Sequence, residues 1–210
     1  MSSSRRSVYF NDKWQLWDSE PDTSTDQVHD FHRGLPDYTQ TPLVKLDNLA
    51  KEVGVRAIYL KDEGSRFGLP SFKVLGASWG TYRAITSRLN LSLGCDLNAV
   101  KKSLIGHDIT LHAATDGNHG RAVARMAHWL DLPVVICVPS GMHQSTISLI
   151  ESEGARVCQS TGNYDQAVLE AQAAANTDGG VLIQDFAFGD YTDIPQVSQN
   201  QTMKKNGYSS

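Results

Sequence analysis

Residues 111–139 read LHAATDGNHGRAVARMAHWLDLPVVICVP, and this stretch decides the fold. An apolar run, Leu111–Thr115, breaks at Asp116-Gly117. A segment of helical length and period follows, near residues 119–130. A second apolar run, Val134–Pro139, closes the unit. Two short apolar runs around one helix predict parallel strands joined by a right-handed crossover. The same alternation continues, with strands expected at Arg156–Ser160 and Val181–Phe186 and helices near 143–153 and 164–176. The fold class is therefore α/β, with a parallel sheet covered by helices on both faces.

Upstream, regular patterning starts at Thr41-Pro42-Leu43. Leu43–Leu46 and Ala57–Leu60 read as strands around a short helical stretch, Leu49–Val53, and a glycine-bearing loop, Asp62–Pro70, follows. From Phe72 the period becomes helical: Leu75, Trp79 and Tyr82 predict an amphipathic helix to about Ser87, with Ser71 as its N-cap. Residues 88–106 carry no decisive pattern. Residues 1–40 are polar and read as irregular, and VSQNQTMKKNGYSS at the far end reads as a tail.

Of the 210 residues 40% are hydrophobic and 20% charged, enough for a core without staples. The net charge of −4 gives no basic footprint for nucleic acid or an anionic membrane, so a small-molecule partner is expected. Cys95, Cys137 and Cys158 form no CxxC pair. That fits a reducing, cytoplasmic compartment and argues against a zinc site. The opening MSSSRRSVYF has no apolar core, so no secretory signal is expected. No apolar run approaches the roughly 18 residues of a membrane span.

Three places could carry chemistry. Lys73, in Ser71-Phe72-Lys73-Val74-Leu75-Gly76-Ala77, opens a helix amid small and apolar neighbours. A helix dipole and desolvation both favour the neutral amine that a lysine nucleophile needs. The plain alternative is a lysine snorkelling at the surface. The turn Thr115-Asp116-Gly117-Asn118-His119-Gly120 joins a strand's carboxyl end to a helix, where free backbone N–H groups can hold an anion. It is no dinucleotide fingerprint. Asp116 and Asn118 also suit plain turn and cap duty, and His119 reads as a helix-surface histidine. Asp185 closes another strand, as an active-site acid or a cap. His29-x-x-His32 has metal spacing but no third ligand, and reads as structural or solvated.

These residues, taken in order, resemble the fold type II pyridoxal-phosphate (PLP) enzymes of the tryptophan synthase β-like superfamily: Thr41-Pro42-Leu43, Lys61-Asp62-Glu63, Ser71-Phe72-Lys73, Gly117-Asn118-His119-Gly120, Ser145-Thr146 and Glu153-Gly154-Ala155. The strings KDEGSRFGLPSFK (61–73) and TDGNHGR (115–121) are similar to the diaminopropionate ammonia-lyase family. The resemblance implies PLP as cofactor and β-elimination of 2,3-diaminopropionate to pyruvate and ammonia. It makes Lys73 the Schiff-base lysine and Asn118 the partner of the pyridine 3′-oxygen. The Asp116–Gly120 turn (Asp116, Gly117, Asn118, His119, Gly120) would hold the substrate carboxylate. Asp116 would be a second base opposite Lys73, and Asp185 another active-site acid. Where Asp116 stands, related dehydratases usually carry serine. A serine or threonine dehydratase is the same-fold alternative, and a non-catalytic fragment the alternative from another class.

The resemblance also implies an organisation. Residues 41–73 and 161–195 would belong to a larger PLP lobe, incomplete here, in which Val181–Phe186 shares a sheet with Thr41–Leu60. Residues 74–160 would form a smaller inserted lobe, and 196–210 a divergent tail. The glycine loop that binds the cofactor phosphate in such enzymes is not found in this sequence, so weak PLP binding is expected of the isolated chain. A full-length form would be a homodimer.

Overall fold

The computed structural model describes residues 24–192 and 194; the expectations for residues 1–23 and for the tail lie outside them. The elements are α1 (Ser24–Arg33), β1 (Leu43–Lys45), α2 (Asp47–Val53), β2 (Tyr59–Lys61), α3 (Lys73–Arg88), α4 (Leu97–Ser103), β3 (Leu111–Ala114), α5 (Asn118–Leu130), β4 (Val134–Val138), α6 (Gln144–Glu151), β5 (Arg156–Gln159), α7 (Tyr164–Asp178) and β6 (Val181–Leu182).

The expected βαβ alternation is present. Strands β3 to β6 form one parallel sheet in the order β5-β4-β3-β6. β3 pairs with β4 from Leu111↔Val134 to Ala114↔Cys137, and β4 with β5 from Val135↔Arg156 to Val138↔Gln159. Side chains alternate across the sheet as the period-two geometry of strands requires. Leu111, Ala113, Val134, Ile136 and Val138 join the core formed with α3 and α5. Ala114, Cys137 and Leu182 face the other way, against Ala167, Val168, Ala171 and Ala175 of α7. Both faces are covered, which is why β3 and β4 are buried along their whole length.

The chain runs outward from β3 to β5, then returns through α7 to lay β6 on the other side of β3. The seam between β3 and β6 is thus a topological switch point. Ligands of open parallel sheets bind beside the carboxyl ends of strands at such a seam.

Four readings change. Val181–Phe186 does not share a sheet with Thr41–Leu60. β1 and β2 pair antiparallel with each other, exposed along their length, and β6 pairs in parallel with β3. Strand partners are chosen by long-range contacts, here including the buried Gln184, whose side-chain oxygen accepts the Ala114 N–H at 3.1 Å. Residues 24–33, read as irregular, form α1. Its signal is thin: Val28, Phe31 and His32 turn inward, onto α3, while Asp26, Gln27, Asp30 and Arg33 are exposed. The undecided stretch 88–106 contains α4, capped where Asp96 accepts the Ala99 N–H at 2.7 Å. α3 is less amphipathic than expected: every residue from Val74 to Tyr82 is buried.

Candidate active site

Lys73 is the first residue of α3. The Ser71 hydroxyl accepts its N–H at 3.2 Å, the capping contact expected of that serine, although the helix boundary falls one residue later. Its ammonium lies 5.6 Å from the centre of the Phe72 ring and donates to Asp185 Oδ2 at 2.6 Å. Asp185 comes from the bend that follows β6. Two of the residues singled out from the sequence therefore meet at the switch point, joined by an ion pair that is neither fully buried nor free in solvent.

The third feature, the turn after β3, sits beside them. Gly117 has φ +143°, a conformation that side-chain-bearing residues rarely adopt. Gly120 is required by packing, because a Cβ there would run into the methyl groups of Thr115 and Ile136. The capping work expected of Asp116 and Asn118 falls instead to Thr115. Its buried hydroxyl accepts the N–H groups of Gly117 and Gly120, both at 2.9 Å. Asp116 and Asn118 are exposed, and their side chains make no hydrogen bond among the described residues. The amides of Asn118 and His119, at the positive end of α5, have no partner among the described residues.

His119 is not a surface histidine. It is 7% exposed, turned inward against the segment that follows β6. Its Nε2 meets the Ile183 carbonyl at 2.8 Å, and its Nδ1 lies 3.8 Å from Asp185 Oδ2. Helical position alone did not show this, because α5 packs on both the sheet and α3. Burial lowers the His119 pKa below the ordinary histidine value, against the opposing pull of Asp185. For Asp185 burial works to raise the pKa, but the His119 ring and the Lys73 hydrogen bond and charge together hold it below the usual carboxylate value. Tyr164, the first residue of α7, is pushed up to about 12 by burial and by the charges of Asp185 and Asp116. Asp116, in the turn after β3, thus acts on Tyr164 through its charge. Tyr164 and Gln184 carried no signal in the sequence, and Thr115, though part of the turn, was given no role of its own.

The other motif residues serve the framework. Lys61 donates to the Thr41 carbonyl at 2.6 Å. Arg66, 5% exposed, grips Glu63 through two bonds of 2.6 Å and the Thr41 hydroxyl through a third of 2.6 Å. Lys61 is thereby committed to the β1–β2 pair. His32 is buried and bonds the Leu75 carbonyl at 3.0 Å, a structural role as expected. Among the described residues no group of three or more His, Cys, Asp or Glu could hold a metal ion, and no helix is long and apolar enough to cross a membrane.

The family model for "pyridoxal-phosphate dependent enzyme" matches residues 35–202. The chain belongs to the pyridoxal-phosphate-dependent enzyme family. It is 37% identical over 177 residues to diaminopropionate ammonia-lyase of Salmonella typhimurium, which covers 80% of this chain and 43% of that protein. The enzyme of the same name from Escherichia coli K12 is 37% identical over 165 residues, 79% of this chain and 42% of that protein. The crystal structure of the Escherichia coli enzyme in complex with D-serine superposes with TM-score 0.79 at 32% identity, over 90% of this chain and 51% of that one. The chain thus spans less than half the length of these curated relatives.

The residues present fit the family's cofactor. An amine paired with a carboxylate stands at a switch point, beside two N–H groups that have no partner among the described residues.

Proposed function

We propose that this chain is part of a PLP-dependent ammonia-lyase that eliminates the β-amino group of a 2,3-diamino acid, 2,3-diaminopropionate, giving pyruvate and ammonia. The observation that carries this is the Lys73–Asp185 pair at the β3–β6 seam, beside the open amides of α5. In this reading Lys73 holds the cofactor through its amine and Asn118 through its side chain. Bound PLP supplies an electron sink that makes the α-proton of an amino acid removable. The amides of Asn118 and His119 take the substrate carboxylate, where the helix dipole favours an anion. Lys73 serves as the base on one face of the α-carbon and Asp116, exposed at the turn after β3, on the other.

A diamino acid brings two ammonium groups. Asp116, whose side chain makes no hydrogen bond among the described residues, is a countercharge for one of them. Asp185 is satisfied by Lys73 at rest and turns to the substrate only when that amine is engaged elsewhere. A serine or threonine dehydratase, the same-fold alternative, needs no such acid at position 116. A cytoplasmic location suits the free thiols of Cys95, Cys137 and Cys158, and a homodimer is proposed for the longer form. The proposed lobe division also belongs to that longer form. The pairing of β6 with β3 argues for extending the inserted lobe, 74–160, through Leu182.

Incubation with PLP, borohydride reduction and peptide mapping test the assignment. The reduced cofactor is expected on Lys73. A label on Lys61 or another lysine defeats it, and the absence of any label in both this chain and a full-length version leaves the non-catalytic alternative standing.

A further inference from the structure

The imidazole of His119 is placed in a way that a purely structural histidine would not need. Its Nε2 contacts a carbonyl, Ile183 O at 2.8 Å, and a carbonyl only accepts, so the ring proton sits on Nε2. The Nδ1 lone pair is then buried with no hydrogen-bond partner, and it points into the neighbourhood of Asp185, 3.8 Å from Oδ2. The lone pairs of a neutral Nδ1 and of the Asp185 carboxylate repel each other at this separation. An unmade buried polar contact costs about 1–3 kcal/mol. The arrangement becomes favourable once a proton lies between the two atoms.

We propose that His119 is a positioning residue for the amine of Lys73: Nδ1 is the resting place of the proton that Lys73 gives up through Asp185. The inference rests on the reading of Lys73 as the reactive amine. The accounting is closed. A Lys73 N–H bond breaks as an Asp185 O–H bond forms; that O–H bond breaks as an Nδ1–H bond forms. Charges pass from lysine positive, aspartate negative and histidine neutral to lysine neutral, aspartate negative and histidine positive. No outside reagent enters. Oδ2 is already 2.6 Å from Nζ, and its gap to Nδ1 exceeds an N–H···O hydrogen bond by about 0.6 Å, a distance that rotation of the carboxylate spans.

The groups that act on His119 are few. Asp185 from the bend after β6 favours its protonated form, Lys73 from α3 disfavours it, and Ile183 contributes only its carbonyl. Burial keeps the ring neutral at rest, which a proton acceptor requires. The two charged neighbours pull in opposite directions, so loss of the lysine charge is itself the signal that makes His119 a better base.

Nitrogen-15 NMR of the 210-residue chain tests this directly. His119 is expected to carry its proton on Nε2 at neutral pH, with a titration midpoint below the ordinary histidine value. In Lys73→Ala the midpoint should rise, and in Asp185→Asn it should fall. An Nδ1 proton at neutral pH, or a midpoint indifferent to Lys73→Ala, overturns the proposal. A second measurement reads Lys73 itself: the rate at which pyridoxal, without its phosphate, is trapped on Lys73 by cyanoborohydride as pH is varied. His119→Gln keeps a donor for Ile183 O but cannot hold the proton. It should slow trapping at neutral pH about tenfold, a shift of the pH profile by about one unit. An unshifted profile counts against the relay. Trapping on a different lysine, with the His119 midpoint still rising in Lys73→Ala, supports the proton coupling while removing the cofactor reading.

Discussion

Lys73 Nζ and Asp185 Oδ2 lie 2.6 Å apart although 112 positions separate them in the chain. The pair ties the start of α3 to the bend after β6. Because the lysine side chain is 37% exposed, solvent screens the attraction, and its worth to folding stays below about 1 kcal/mol. The sign of its pH dependence follows from Asp185, whose carboxyl is held below its ordinary value. The contribution is present above that ordinary value, near 3.8, and is lost as pH falls through the lower, folded one. Urea melts of wild type and Asp185→Asn should therefore differ slightly at pH 7 and converge in strong acid. A gap that widens on acidification would contradict the ion pair.

His119 gives the opposite kind of test. Its folded pKa is depressed, so the unfolded chain takes up a proton near pH 6.5 that the folded chain refuses until lower pH. Stability is whole above that value and declines as pH falls from 6.5 toward the folded pKa, by at most about 1.4 kcal/mol per pH unit. His119→Gln, compared with wild type across pH 4–8, should flatten that part of the curve. Parallel curves would show that the ring is not buried neutral.

The turn after β3 should be intolerant of small changes. Thr115→Val keeps shape and removes the acceptor for two amides, for a loss of about 2 kcal/mol. Gly120→Ala forces a methyl against Thr115 and Ile136, for about 1–3 kcal/mol. Chemical denaturation of each variant checks both values. An unchanged midpoint for Gly120→Ala would mean the turn and β4 can move apart.

For the proposed activity, Asp116→Asn in a full-length enzyme should impair one diaminopropionate enantiomer at least tenfold more than the other, since Lys73 still serves its own face of the α-carbon. Steady-state rates of pyruvate release from each enantiomer decide it. Equal losses would recast Asp116 as a group that holds the substrate rather than one that takes its proton.

The parts of the fold legible in the sequence are those written locally. Leu111–Thr115 and Val134–Pro139 are runs buried on both faces, and the segments between strands are long enough for helices. The partner of β6 was not legible, because Val181 and Leu182 suit any parallel neighbour and the choice rests on contacts with Thr110, His112 and Ala114. Lys73, Asp116 and Asp185 stood out by residue type at element ends. The burial of His119 did not. It depends on which face of α5 meets the residues after β6, a relation across 64 positions that no local pattern records.

β6 is two residues long and lies at the edge of its sheet among the described strands, held by the Val181 and Ile183 amides and by Gln184. The acid facing Lys73 therefore hangs from the shortest ladder of the sheet. Segments with so few bonds breathe on their own, at an opening cost far below that of global unfolding. A local opening of residues 181–185 would uncage the lysine while β3, β4 and β5 stay shut. Amide hydrogen exchange would see it as early loss of protection at Ile183 with Ala113 still protected. A ligand bridging α5 and Asp185 would slow that excursion, so binding at this site registers first as a change in tempo rather than in shape.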